Sequence, residues 1–365
     1  GNVMPAVTTP LNPSRPQPQS LHHANHHSAP EHAQDPTPRL IVANGAHAAL
    51  RPEFIQQYHE NSDALRAEIV AGLLRSQAGI SPKFFYDVLG SRLFEAITDL
   101  PEYYPTRTEA SIFASVAPAI AARAGSGCVL IDLGAGNCEK AARLFPSLQP
   151  AQYVALDISV DFLRGTLSGL QQQHPHIPML GLGTDLCGPL DLPSNVRRGR
   201  RLLFYPGSSI GNFTPIDALA LLQRLRAVTG HGDGVLIGVD LYKDADTLVA
   251  AYDDALGVTA AFNRNVLRNV NRILGSDFAL EDWRHVASFD QQASRIQMHL
   301  EAERAVTVRW PDGERNFAEG ERIHTEDSHK YRPEDFAILL ESAGFTDPVS
   351  WTDPRGWFAV FHARG

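Results

Sequence analysis

Five near-continuous apolar runs, most of them separated by helical stretches, constrain this chain more than any other feature. They lie at 128–133 (CVLIDL), 152–157 (QYVALD), 179–183, 201–205 (RLLFY) and 234–240 (GVLIGVD). Strands apolar at successive positions are buried on both faces, and the helices between them supply the crossovers that parallel strands require. Helices are expected at 139–145 and 215–228, the second with Thr214 as its N-cap. The expectation is a doubly wound, Rossmann-like α/β sheet.

The pattern changes on either side of these runs. Residues 1–38 hold eight prolines and five histidines with few large apolar side chains. Such a segment cannot offset its ordering entropy, so 1–45 is read as a disordered tail. Its His22–His23 and His26–His27 pairs could chelate a metal adventitiously, but a flexible tail is the preferred reading. Residues 54–74 read as one helix, 81–107 as an aromatic and charged stretch with a short helix at 92–98, and 108–124 as a helix capped by Thr108. After 240, helix is expected over 245–271. Strands at 296–300 and 305–310 are expected to pair with one another before a turn at Pro311-Asp312-Gly313. A helix at 333–343 and strand runs at 348–351 and 357–363 then close the sheet. Two domains follow: a nucleotide-type sheet from 108–242 with 331–365, and a smaller α+β substrate domain from 46–107 with 243–330. No internal repeat is visible.

Composition removes several function classes. A formal net charge of −9 disfavours a nucleic-acid backbone as partner. The one dense basic cluster, Arg197, Arg198, Arg200 and Arg201, precedes a strand and reads as a solvated loop. Three scattered cysteines (Cys128, Cys138, Cys187) suit neither a disulfide framework nor a zinc site, so no metal is expected and a reducing cytoplasm fits. No apolar run approaches the roughly 20 residues of a membrane span, and the N-terminus lacks a secretory layout. A soluble, monomeric protein acting on a small molecule is expected.

The sharpest local signal is Asp132-Leu133-Gly134-Ala135-Gly136, between a strand and a helix. Glycines there let the backbone turn tightly and approach a ligand. Asp157 ends the next strand, where a carboxylate can accept both ribose hydroxyls of a nucleotide cofactor. Asp185, after the third strand, is placed to reach an adenine amino group. A nicotinamide cofactor would use the same layout. However, the third glycine of the dinucleotide pattern is Glu139, and an acid beside a pyrophosphate is unfavourable. S-adenosylmethionine carries no phosphate and has a cationic sulfonium, so the substitution favours that methyl donor. The segment 205–213 (YPGSSIGNF) follows the fourth strand and should face the cofactor, with Asn212 able to donate and accept. A plain Gly/Ser turn before the next helix is the alternative.

Four ordered blocks, FFYDVLGSRLFEAITDLPEYYPTRTE (84–109), IDLGAGNCEK (131–140), FYPGSSIGNF (204–213) and IHTEDSHKY (323–331), resemble the ergothioneine-pathway L-histidine Nα-methyltransferases. Weaker similarity at 251–267 and Asn271-Arg272 extends the resemblance over about 75–365. It implies a class I methyltransferase sheet with a substrate domain, and methyl transfer from S-adenosylmethionine to the α-amine of histidine, three times over. It also implies that Tyr86, Gly134, Lys140, Asp157 and Asp185 contact the donor, while Tyr103, Gly207, Asn212 and Tyr252 hold the substrate amino and carboxyl groups. Glu326 and Ser328 would read the imidazole, with Met298 lining that pocket. Tyr103 and Asn212 would be the catalytic pair, passing the amine proton to water. Leu186 departs from the pattern, standing where an aromatic is expected. Without the resemblance, 325–328 reads as a capped surface loop, and Tyr103 and Tyr252 as core aromatics. A same-fold enzyme acting on another amino acid, or a non-catalytic binder of S-adenosylmethionine, are the alternatives.

Overall fold

The computed structural model describes residues 48–365, so the tail expected over 1–45 lies outside the described residues. The first elements are β1 (Glu53–Gln56), α1 (Ser62–Leu73), a 3-10 turn at Pro82–Phe85, α2 (Val88–Thr98) and α3 (Pro105–Ala124). The alternating part follows. It runs β2 (Val129–Asp132), α4 (Glu139–Ala142), α5 (Phe145–Leu148), β3 (Gln152–Asp157), α6 (Val160–Gln173), β4 (Met179–Gly183), β5 (Arg201–Tyr205), α7 (Pro215–Ala227) and β6 (Gly234–Asp240). Next come α8 (Ala245–Tyr252), α9 (Val258–Leu274), β7 (Trp283–Asp290), β8 (Arg295–Ala302), β9 (Val306–Trp310), β10 (Gly313–Phe317) and β11 (Arg322–His329). The chain closes with α10 (Pro333–Ser342), β12 (Thr346–Thr352) and β13 (Phe358–Arg364).

The main sheet has the order β1-β4-β3-β2-β5-β6-β13-β12. Strands β1 to β6 are parallel, and β13 runs antiparallel to both neighbours. Every residue of β2, β4 and β6 is buried, because helices cover both faces. Val129 and Ile131 enter one core with Leu221 and Leu222 of α7 and Phe336 and Leu340 of α10. Leu130 enters the opposite core with Ile120 of α3 and Leu163 and Leu167 of α6. The strand order reverses at β2, which pairs with β3 on one side and β5 on the other. Ligands of such sheets bind beyond the carboxyl ends of the strands at this switch point.

A third core, containing Ile69, Phe85, Tyr103, Tyr252, Phe262 and Met298, belongs to the remaining elements. Its sheet, β11-β8-β7, is antiparallel, with β9 and β10 forming a separate hairpin. Helix α9 clasps the segment before α2 through buried amides. Asn269 Nδ2 donates to the Phe84 carbonyl and Asn265 Nδ2 to the Asp87 carboxylate, both at 2.8 Å.

Five local expectations are corrected. The helix expected over 54–74 starts only at Ser62, because β1 instead adds an edge strand to the main sheet beside β4. Helix α3 begins at Pro105, whose fixed φ and missing N–H suit the first helical position, so Thr108 lies inside it and bonds back to the Tyr104 carbonyl. The helix expected over 139–145 is two short pieces, α4 and α5. That over 245–271 is also two, interrupted before Gly257, which takes a left-handed conformation (φ 79°). Strand β8 does not pair with β9; it lies between β7 and β11, and β9 folds onto β10 across Pro311-Asp312. Among the described residues, no helix is long and apolar enough to cross a membrane.

Candidate active site

The glycine-rich loop after β2 is built to leave room. Gly134 and Gly136 sit at φ 68° and 56°, and a Cβ at either would meet nothing within 4 Å. Acidic groups border this space. Asp157, half-buried at the end of β3, is raised from the ordinary carboxylate value by burial, against which the backbone N–H groups of Ser159, Ile158 and Gly136 work. Asp132 is buried at the end of β2 and accepts the Tyr153 hydroxyl at 2.5 Å; burial pushes it up to about 7. Asp185 commits one oxygen to the Cys187 N–H at 2.9 Å. An open backbone cradle beside carboxylates suits a cationic nucleoside such as S-adenosylmethionine better than a pyrophosphate.

Next to this crevice, beyond β5 and β6, lies a small cleft with a cavity volume of about 70 Å³. It gathers Tyr86, Tyr103, Gly207, Asn212, Tyr252, Met298, Glu326 and Ser328, eight of the twelve residues expected to form the site. Gly134, Lys140, Asp157 and Asp185 are outside its lining: Gly134 and Asp185 lie in loops after strands, Asp157 ends β3 and Lys140 is on α4. The two regions touch at Gly207, where a Cβ would stand 3.0 Å from Lys140 Nζ. Gly207 (φ 81°) and Ser208 (φ 59°) are consecutive left-handed residues, and their turn carries the chain into the 3-10 turn that ends at Asn212.

Glu326 and Ser328 are on a strand, not on the capped loop that local sequence suggests. The register of β11 against β8 shifts between His324 and Glu326, and this bulge brings Glu326 opposite Met298. Behind it, the Thr325 hydroxyl lies 2.8 Å from Asn263 Oδ1 and 3.1 Å from the Met298 carbonyl. Asn263 Nδ2 donates to His285 Nδ1 at 2.8 Å, so His285 carries its proton on Nε2 and donates to the Tyr252 carbonyl at 2.8 Å. Burial lowers the His285 pKa, which keeps this ring neutral. Bulge and α8 are thus held by one buried chain of hydrogen bonds.

The Tyr252 hydroxyl donates to Ser328 Oγ at 3.0 Å, and the Tyr103 ring meets the Tyr252 ring edge-on at 6.1 Å. Burial holds the Tyr103 phenol well above its ordinary pKa, so it stays protonated and offers a hydroxyl, not a phenolate. Glu326 is pushed up to about 7, chiefly by burial, with Lys330 opposing. Among the described residues no side chain donates a hydrogen bond to Glu326, whose carboxyl lines the cleft.

Several buried polar residues around the cleft were not anticipated. Glu109, 1% exposed, accepts the Gly207 N–H at 2.7 Å and Lys140 Nζ at 3.0 Å. Asp240 accepts Lys243, Lys330 and the Tyr104 hydroxyl at 2.6–2.8 Å. The signal in the sequence was chemical: Asp240 ends an otherwise apolar strand run, and Glu109 ends the block at 84–109. Among the described residues, no group of three or more His, Cys, Asp or Glu side chains is placed to hold a metal.

The sheet order, with its antiparallel β13 between β6 and β12, and the glycine cradle facing a second, polar cleft define a class I S-adenosylmethionine-dependent methyltransferase. Residues 65–365 match the family described as histidine-specific methyltransferase, SAM-dependent, and the chain belongs to that family. It is 42% identical over 307 residues to the histidine N-alpha-methyltransferase of Mycolicibacterium smegmatis, covering 82% of this chain and 94% of that one. Identity to the histidine N-alpha-methyltransferase of Mycobacterium tuberculosis is 39% over 308 residues, covering 81% and 94%. Ergothioneine biosynthesis protein 1 of Neurospora crassa is 32% identical over 335 residues, 86% of this chain and 37% of that longer one. Among solved structures, an S-adenosylmethionine-dependent methyltransferase from Clostridium acetobutylicum aligns at TM-score 0.43 and 12% identity, over 75% of this chain and 98% of that one.

Proposed function

We propose that this enzyme methylates the α-amine of L-histidine, with S-adenosylmethionine as donor, three times in succession, giving Nα,Nα,Nα-trimethylhistidine for ergothioneine biosynthesis. The observation that carries the acceptor is the pairing within one cleft of Glu326, a carboxyl without a donor among the described residues, and Ser328, a hydroxyl two residues along the same strand. A neutral imidazole offers one N–H and one lone pair, and this pair matches both. A side chain lacking either would leave a buried polar group unpaired, which is costly.

The donor supplies an activated methyl group on its sulfonium. Gly134 and Gly136 supply the open cradle, with Tyr86, Lys140, Asp157 and Asp185 completing the donor side. Gly207, Asn212, Tyr103 and Tyr252 hold the amino and carboxyl groups and aim the amine at the methyl group, a proximity effect that can supply several kcal/mol. The Gly207 N–H is already taken by Glu109, so Gly207 serves the substrate through its carbonyl. Tyr103 stays protonated, which rules it out as a strong base; with Asn212 it relays the amine proton to water. Apart from β1, which joins the main sheet, the substrate domain comes from the segment before Thr108 and from 243–330, and the loop after β5 adds Gly207 and Asn212 to the site.

We further place the enzyme in the cytoplasm as a monomer acting on a free amino acid, without nucleic-acid or membrane partners. Its three cysteines are free thiols, its formal charge is −9, and exposed apolar residues such as Phe162, Ile216 and Leu256 lie apart in sequence, on α6, on α7 and in the turn between α8 and α9. A competition assay tests the acceptor: histidine, tryptophan, tyrosine and phenylalanine are mixed at equal concentration with enzyme and donor. Methylation confined to histidine supports the proposal, and preferential methylation of another member overturns it.

A further inference from the structure

Lys330 is fully buried directly behind the cleft, yet it is not part of the cleft wall. Its ammonium makes three hydrogen bonds: to Asp240 Oδ2 at 2.7 Å, to the Tyr252 hydroxyl at 2.8 Å and to Ser328 Oγ at 3.0 Å. An ammonium has three protons and no lone pair, so all of its capacity is spent, and both hydroxyl oxygens must accept from it. Asp240 is anchored in turn by Lys243 at 2.8 Å and the Tyr104 hydroxyl at 2.6 Å, which fixes the position of the charge that Lys330 faces.

Tyr252 and Ser328 own two hydroxyl protons between them, and one is consumed in the bond between the two hydroxyls. The second cannot point at Lys330. Whichever hydroxyl carries it, its remaining direction is the cleft that Tyr252 and Ser328 both line. We propose that Lys330 is a specificity-determining positioning residue, which keeps the free proton of the Tyr252–Ser328 hydroxyl pair turned into the cleft and so selects a substrate ring presenting a lone pair at that point. The inference rests on the reading that Ser328 and Glu326 face the substrate side chain. With Lys330 in place the cleft offers one donor, from the hydroxyl pair, and one acceptor, at Glu326. Without it, the free proton can turn back into the space the ammonium leaves beside Asp240, and the pair can accept from a substrate N–H. A fully buried ammonium is costly to maintain unless its hydrogen bonds are made, and here two of the three go to the pair that meets the substrate.

Two histidine analogues separate the two contacts. A pyrrolylalanine keeps a ring N–H but has no lone pair to accept from the hydroxyl pair; a thiazolylalanine keeps a ring lone pair but has no N–H for Glu326. The experiment measures kcat/KM for histidine and both analogues in wild type, Lys330→Met and Ser328→Ala. Donor affinity and circular dichroism report the fold. In Lys330→Met, Asp240 keeps Lys243 and Tyr104 as partners. Should this variant not fold, Lys330→Leu, which likewise has no donor, is measured in its place. The expected result is a fall of at least about tenfold in the preference for histidine over pyrrolylalanine, with the preference over thiazolylalanine within about threefold of wild type. A wild-type preference over pyrrolylalanine in the Lys330 variant overturns the proposal. An unchanged preference in Ser328→Ala overturns instead the reading that Ser328 meets the ring.

Discussion

Glu109 accepts the backbone N–H of Gly207 through Oε2 at 2.7 Å, and this contact ties helix α3 to the loop that follows β5. Its second oxygen holds Lys140 at 3.0 Å, so a single buried carboxylate spans the donor-side and acceptor-side halves of the site. A Cβ on Gly238 would stand 1.9 Å from Oε2, which shows how closely the sheet is cut to admit this side chain. Replacing Glu109 with Ala leaves an N–H without its partner and frees Lys140. The expected cost is about 1–3 kcal/mol of stability. Steady-state kinetics should show the KM values for donor and histidine rising together. A change in only one of them contradicts the spanning role.

Glu326 gives the site a pH signature. Burial raises it to about 7, so between the ordinary carboxylate value and that point the folded enzyme keeps a proton the unfolded chain has released. This contribution to stability is fully present below the unfolded pKa and is lost as pH rises through about 7. The melting temperature of wild type minus that of Glu326→Gln should therefore fall from about pH 5 to about pH 7.5. A difference that climbs across this window would show that Glu326 is not held protonated.

The donor cradle can be tested against backbone strain. Gly134 and Gly320 both have positive φ, and a Cβ added at either would meet nothing within 4 Å. Alanine at either site carries a similar left-handed penalty of about 1–2 kcal/mol. Gly134→Ala is expected to weaken S-adenosylmethionine binding at least about tenfold by titration calorimetry, because its Cβ would enter the space proposed for the donor. Gly320→Ala, in the loop between β10 and β11, should leave that affinity unchanged. Equal affinities in the two variants contradict the cradle assignment.

Thr325→Val removes the hydroxyl that links Asn263 to the bulge while keeping the volume of the side chain. Asn263 Oδ1 then loses its 2.8 Å partner in a buried setting. Urea unfolding should register a loss of about 1–3 kcal/mol, and KM for histidine should rise as the bulge beneath Glu326 relaxes. Stability and KM both at wild-type values would mean that the bulge does not depend on this network.

The legible part of this protein was its main sheet, because strands such as β3, β4 and β6 are near-continuous apolar runs, two of them closing on an aspartate. Strand β1 was hidden by its length: Glu53–Gln56 is four residues at a sheet edge, and its pairing with β4 is a tertiary fact. Strand β11 was hidden by its bulge, which breaks the alternation of period two at the point where Thr325 and Glu326 are both buried. The residues of the cleft were reachable through resemblance, since polar side chains such as Glu326 and Ser328 carry no periodic signal of their own. Lys330 and its pairing with Asp240 were not reachable from local pattern, because a buried ion pair is recognisable only once the partners, 90 residues apart, are seen together.

The most direct test of the account is mass spectrometry of L-histidine incubated with S-adenosylmethionine and the purified chain. The predicted result is a product series gaining one, two and three methyl groups on the α-amine, ending in the trimethylated form. Donor binding without any methylated histidine would contradict the acceptor assignment while leaving the fold intact.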